Sequence, residues 1–162
     1  MRHVAFCLLM LLSVTVQANE AARLRQAGFA AQSHELALKN QIVQTYLWAD
    51  IYAAALYAPA DTNARLAWEQ QRALRTEPYY FRDIDRSDVI KAANATLKRQ
   101  QVSARLKPEV DRLHARFGDI QNGDRYALDV RPGRGLNLEI NGEVVFNSPD
   151  EELAKAYLGI WL

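Results

Sequence analysis

The apolar positions of this chain change period several times. From Glu35 onward Leu36 and Leu38 alternate with Ala37 and Lys39, the period of two of a half-buried strand. Ile42 to Tyr57 is a long run rich in Tyr, Ile, Val and Trp, and its β-branched and aromatic content predicts strand. Pro59 and Asp61 end it, and Thr62 or Asn63 is placed to cap a short helix through Gln71. The Ala- and Gln-rich stretch from Asn19 to Gln32 before these elements reads as a loose lead-in.

Leu74 to Ile84 predicts a further strand containing Tyr79, Tyr80 and Phe81, with Pro78 marking an edge or a bulge because it has no N–H to give a ladder. The period then lengthens. Val89, Ala93 and Leu97 lie four apart behind Asp85 or Ser87 as N-cap, a helix to about Gln101. Leu106, Val110, Leu113 and Phe117 continue at helical spacing, with Pro108 in the first turn and Gly118 as a stop.

A period of two returns with Tyr126, Leu128 and Val130, and again with Leu136, Leu138 and Ile140 after the turn Pro132-Gly133-Arg134-Gly135. Asn141-Gly142 is a strong hairpin signal; a two-residue loop there pairs Ile140 with Glu143 and sets Leu138 opposite Val145. Ser148-Pro149-Asp150-Glu151 has the form of a capping box with Pro149 at the first helical position, and Leu153, Tyr157 and Trp161 give the helix after it a buried stripe. Hairpin-linked strands with helices grouped between them predict an α+β domain with a large antiparallel sheet and helices over one face.

The amino terminus is set apart from this pattern. Arg2-His3 is a short basic start, Val4 to Val16 is almost wholly apolar, and Val16-Gln17-Ala18 places small residues where a signal peptidase reads them. The apolar run is shorter than the roughly 20 residues a spanning helix needs. Residues 1–18 are therefore expected to be a cleaved secretory signal and 19–162 a single domain exported to the periplasm, with no transmembrane anchor after cleavage. Cys7 lies inside the apolar run and not at its end, against a lipid-anchored cysteine.

Composition narrows the function classes. The chain has 162 residues, 49% of them hydrophobic, with 20 Lys+Arg against 19 Asp+Glu and one cysteine. Disorder and a disulfide scaffold are excluded, and the balanced charge argues against a nucleic-acid partner. No metal and no cofactor are expected: His34 and His114 have no cysteine partner and no His-Glu-x-x-His spacing, and read as surface or packing residues. There is no Gly-x-Ser-x-Gly elbow. Gly133-Arg134-Gly135 lies between strands and reads as a turn, and helix capping accounts for Asp83, Asp85 and Asp88. Tyr46, Trp48, Tyr52 and Tyr57 share one strand region and are expected on one face, as a pocket lining for an amphipathic ligand or as plain core.

Four segments carry a family resemblance. Ala49-Asp50-Ile51-Tyr52-Ala53-Ala54-Ala55-Leu56-Tyr57-Ala58-Pro59 resembles the first long strand of the chalcone isomerase-like family, in its exported bacterial branch. Tyr80-Phe81-Arg82-Asp83-Ile84 resembles the passage from strand to helix. Gly123-Asp124-Arg125-Tyr126 with Pro132-Gly133 and Asn141-Gly142 resembles the closing hairpins, and Leu158-Gly159-Ile160-Trp161-Leu162 the last helix. The resemblance implies an open-faced β-sandwich with a cleft between sheet and helices. It also implies a site: in the plant enzymes a guanidinium holds the phenolate that adds to an unsaturated ketone, helped by Thr, Tyr and Asn, and fatty-acid-binding relatives hold a carboxylate with Arg and Tyr.

Carried over residue by residue, the family Arg falls at Gln44 or Asn40, the Thr at Tyr52, the Tyr at Ser87, the Asn at Asn94, which matches, and the last polar position near Ile160. An amide at Gln44 cannot replace the two-pronged charged contact of a guanidinium, and loss of one oxyanion donor costs about 10²–10³ in rate. The resemblance so adjusted implies a non-catalytic protein that binds a small hydrophobic or amphipathic molecule, such as a fatty acid, in a cleft touching Gln44, Tyr46, Tyr52, Ser87 and Asn94. Two other readings fit the same residues: an envelope interaction protein with a filled cleft, and an isomerase with rewired polar groups in which Tyr52 serves as acid or base. The ligand, protein partners and oligomeric state are not specified by the sequence.

Overall fold

A computed structural model describes residues 19–162; the expected signal and cleavage site, with Cys7, lie outside the described residues. Seven strands form one antiparallel sheet in chain order: β1 Gln32–Ser33, β2 Leu36–Tyr46, β3 Ala49–Ala58, β4 Leu74–Tyr80, β5 Tyr126–Arg131, β6 Gly135–Ile140 and β7 Glu143–Ser148. A helix over residues 19–27 (α1) precedes β1. The others are α2 Ala64–Glu69, α3 Arg86–Arg99, α4 Lys107–His114 and α5 Glu151–Leu158, with a 3₁₀ turn Gly159–Trp161 after α5.

Strand parity divides the two faces. Leu56, Tyr80, Tyr126, Leu128, Leu138 and Phe146 point to one side and pack against Leu97 of α3, Leu113 of α4 and Leu153 of α5, with Ala64 and Ala67 of α2 beside them. This is the main core. Each fully buried Leu contributes about 1.5–3 kcal/mol by its removal from water. The α+β class and the helix-covered antiparallel sheet expected from the pattern are what the chain forms.

The Ala- and Gln-rich stretch before β2 is not a loose lead-in but an ordered cover for the other face. Ala27 is buried with Ala53 and Phe81, and Phe29 packs both there and against Leu36 and Tyr57. Polar ties hold it down: Arg23 donates to Asp50 at 2.8 Å, Ser33 to Glu77 at 2.6 Å, Tyr57 to the carbonyl of Ala30, and Arg125 to the carbonyl of Ala27. Burial alone would raise the Asp50 carboxyl, but hydrogen bonds from Arg23, Thr45 and Asn19 bring it below its ordinary value.

Beneath this cover lies an ionic network. The Arg75 guanidinium contacts Glu77, Asp129 and Glu139, and all four side chains are buried. Arg131 adds a second cation on Asp129, and Arg125 lies 3.7 Å from Glu77. Alternating charges on strands look like a solvated face in sequence; here the amino-terminal segment removes them from water.

Four local expectations are corrected. The run from Ile42 to Tyr57 is two strands, because Tyr46 pairs with Ala49 and the chain turns at Leu47-Trp48, with Leu47 at φ +56. An apolar pair in the turn hides it from pattern reading, and Tyr46, Leu47 and Trp48 stand 70%, 73% and 86% exposed at the hairpin tip. Pro78 is at neither an edge nor a bulge: it pairs with Ala54 of β3 inside the sheet and interrupts the β4–β5 ladder, which holds from Leu74 to Thr76 and resumes only at Tyr79–Arg125. Ile140 does pair with Glu143, but a bulge at Val145 sets Leu138 opposite Phe146. The cap of α5 is Asp150, accepting from the N–H groups of Glu152 and Leu153, so the helix starts two residues later than the Ser148 box predicts. Ser148 instead donates to Glu109 at 2.6 Å.

Candidate functional site

Between the sheet and α3 the helix layer leaves a cavity of about 780 Å³, within the range of small-molecule sites. Two features of the chain open it. The inward stripe of α3 is made of short side chains, Val89, Ala92, Ala93 and Thr96, which stop short of the sheet. Opposite them, Pro78 and the weakened β4–β5 ladder place Tyr80 and Tyr126 on the cavity floor.

The floor is aromatic. Tyr80 and Tyr126 are 7% and 4% exposed. Tyr80 meets Tyr52 edge-on at 5.7 Å between ring centres and Tyr126 at 5.6 Å, and Phe117 stacks on Tyr126 at 6.0 Å. Trp161 closes one side, 5.3 Å from Tyr52. Leu128, Leu138 and Ile160 complete an apolar wall. The mouth is acidic: Asp83, Asp85 and Asp88 line it, together with exposed Tyr46. No Lys or Arg lines the cavity among the described residues.

Burial holds the phenols in their protonated form. It raises Tyr52, Tyr80, Tyr126 and Tyr157 above the ordinary tyrosine value, helped at Tyr80 by the neighbouring phenols and at Tyr126 by Asp124 and Asp119. Such groups donate hydrogen bonds; they are poor bases near neutrality. Tyr157 is already engaged, with its hydroxyl 2.8 Å from Nε2 of His114.

Of the residues singled out in the sequence, Tyr46 and Tyr52 line this cavity, and so does Ile160. Gln44 does not. It is the cross-strand partner of Tyr52 on β2, but the outer part of that strand is not covered by a helix, and its amide is exposed and donates to the carbonyl of Thr45. Ser87 and Asn94 are also exposed, because the 3.6-residue period that brings Val89, Ala93 and Thr96 inward rotates both away. Asn94 belongs instead to a separate hollow of about 360 Å³ between α3 and α4. The expected common face of four aromatics also fails. Tyr57 has the opposite parity to Tyr52 and is buried under the amino-terminal cover, where burial and then Glu77 push its hydroxyl up to about 12, and Trp48 is at the exposed turn.

Side-chain capping does not account for Asp83, Asp85 and Asp88 as expected; the N–H of Arg86 is taken by Asp119 instead. Asp85 holds the N-cap position of α3 without a side-chain cap bond, Asp88 lies in the first turn, and Asp83 accepts from the N–H of Asn122. All three also face the mouth. The site residues that sequence reasoning passed over are Tyr80 and Tyr126; their even numbering on strands whose even positions are apolar was the available signal. The structure does contain a buried arginine, Arg75, but its odd parity puts it on the opposite face of the sheet, within the ionic network. Among the described residues no three His, Cys, Asp or Glu side chains converge so as to hold a metal ion.

A family model described as chalcone isomerase-like matches residues 18–162. Comparison with curated proteins finds no match. Among solved structures, the crystal structure of a fatty-acid binding protein from Arabidopsis thaliana superimposes with a TM-score of 0.65 at 15% identity, covering 82% of this chain and 83% of that one. At that identity the likeness is one of fold.

Proposed function

The chain belongs to the chalcone isomerase-like family, and from that premise we propose that it is a non-catalytic binding protein which holds a small hydrophobic or amphipathic molecule between its sheet and α3. The observation that carries this reading is the cavity of about 780 Å³, apolar in its walls and unfilled by side chains of the described residues. The solved relative of the same fold is described as a fatty-acid binding protein, which supports a ligand of similar size. A filled cleft does not fit a space this large. The isomerase reading finds no support in the site: Gln44 is outside it, no guanidinium of the described residues enters it, and Tyr52 is held protonated by burial.

The proposal extends to place. Export across the inner membrane to the periplasm rests on the sequence of residues 1–18 alone, with its basic start, apolar run and small residues before Ala18.

Uptake of N-phenyl-1-naphthylamine, a fluorescent apolar probe, tests the binding reading. The delipidated protein is expected to bind it saturably. Ala93→Trp, which fills the cavity from α3, is expected to weaken binding by about tenfold or more with the circular dichroism spectrum unchanged. Absence of saturable uptake by the folded wild-type protein overturns the proposal.

A further inference from the structure

The binding reading leaves the chemistry of the ligand's polar end open, and the cavity's own polar atoms address it. Tyr157 has a hydrogen-bond partner in the protein, His114. The hydroxyls of Tyr52, Tyr80 and Tyr126 have none among the described residues, although Tyr80 and Tyr126 are more than nine-tenths buried and line the cavity. Donors that face a cavity with no protein acceptor are left for a bound molecule or water to satisfy. Each of these is neutral.

Charge points the same way. Three carboxylates stand at the mouth and no cation lines the walls among the described residues. A ligand carboxylate entering here would shed its water, gain no counter-charge and pass Asp83, Asp85 and Asp88. An unpaired buried anion is among the costliest groups to desolvate. A quaternary ammonium head would suit the mouth but has no lone pair for the phenols.

We infer that the cavity takes an amphipath whose buried polar end is an uncharged oxygen acceptor, as in an acyl ester, amide or ketone, and discriminates against the free carboxylate of the same chain length. The inference rests on the binding reading above. It gives this site a different selectivity from one built around an arginine: the phenols donate to a carbonyl oxygen, and the apolar wall holds the chain.

The test is competition against bound N-phenyl-1-naphthylamine at about pH 7.5, using 1-dodecanoylglycerol, dodecanoate and dodecyltrimethylammonium. The ester is expected to displace the probe at least about tenfold more tightly than either charged competitor. Lowering the pH toward 5 should narrow the gap between acid and ester as the fatty acid protonates. Tyr80→Phe should weaken the ester relative to the probe by about two- to tenfold, the range for one neutral hydrogen bond. If the probe binds and dodecanoate or the ammonium compound competes best, this inference falls and the binding reading stands. If neither probe nor competitor binds, both fall.

Discussion

Arg75 on β4 grips Glu139 on β6 across the whole width of the strand between them. Its two terminal nitrogens meet the two carboxylate oxygens at 2.9 and 2.7 Å, while Nε donates to Glu77 at 2.7 Å. The fork thus ties together three neighbouring strands on the face away from the cavity. It fixes their register where the Pro78 gap leaves the β4–β5 ladder short.

Breaking that fork should be costly. Arg75→Met leaves Glu77, Asp129 and Glu139 buried with less compensation, and is expected to lower stability by about 3–5 kcal/mol. Adding Glu139→Leu removes one stranded charge, so the double variant should lose less than the two single changes summed. Urea unfolding of the three variants measures this; a loss below about 1 kcal/mol for Arg75→Met would contradict a buried network.

The pair His114 and Tyr157 should make stability depend on pH. Burial, assisted by Arg86 and opposed by Asp111, holds the His114 imidazole below its ordinary value, while burial raises the Tyr157 hydroxyl. The hydroxyl therefore donates to Nε2 of a neutral ring. Because the folded-state value is depressed, the unfolded chain takes up a proton first as pH falls. The contribution is whole above about 6.5, the unperturbed histidine value, and declines below it toward the folded value. The urea midpoint is expected to fall between about pH 7.5 and 5.5, above the range in which most carboxyls titrate. His114→Gln should flatten that slope.

Gly135 marks a close approach between β6 and the end of β7. A Cβ there would fall 2.0 Å from the carbonyl oxygen of Ser148 and 2.6 Å from Cα of Pro149, at φ +80. Both obstacles are backbone, so relief requires β6 to part from the β7–α5 corner. Gly135→Ala is expected to cost more than about 3 kcal/mol. Gly142→Ala, at φ +86 but with open space around its Cβ, should cost only the left-handed penalty of about 1–2 kcal/mol. Thermal unfolding of the two variants compares them directly; equal losses would show that backbone conformation alone is responsible.

Local periodicity carried much of this architecture. The alternation at Tyr126–Val130 and Leu136–Ile140, the Asn141-Gly142 turn and the Asn63 cap, whose side chain accepts from the N–H of Leu66, are all interactions between residues close in the chain. They specify α+β with hairpins before any tertiary contact forms. Of the cavity, Tyr52 was legible from the aromatic run of its strand, and Tyr46, exposed at the hairpin tip, and Ile160 also line it.

The rest depended on which surfaces the fold brings together. Helix-face geometry took Ser87 and Asn94 out of the site, and the uncovered flank of β2 left Gln44 in water. Tyr80, Tyr126 and Trp161 come from β4, β5 and the last turn, and they meet only once the sheet has curled under α3. Arg75, Glu77, Asp129 and Glu139 alternate along their strands like any solvated edge until the segment before β2 lies over them. Burial is a property of the assembled layers: a one-dimensional pattern can state which side of a strand a residue occupies, but only the packed structure determines whether that side meets a helix, a cavity or solvent.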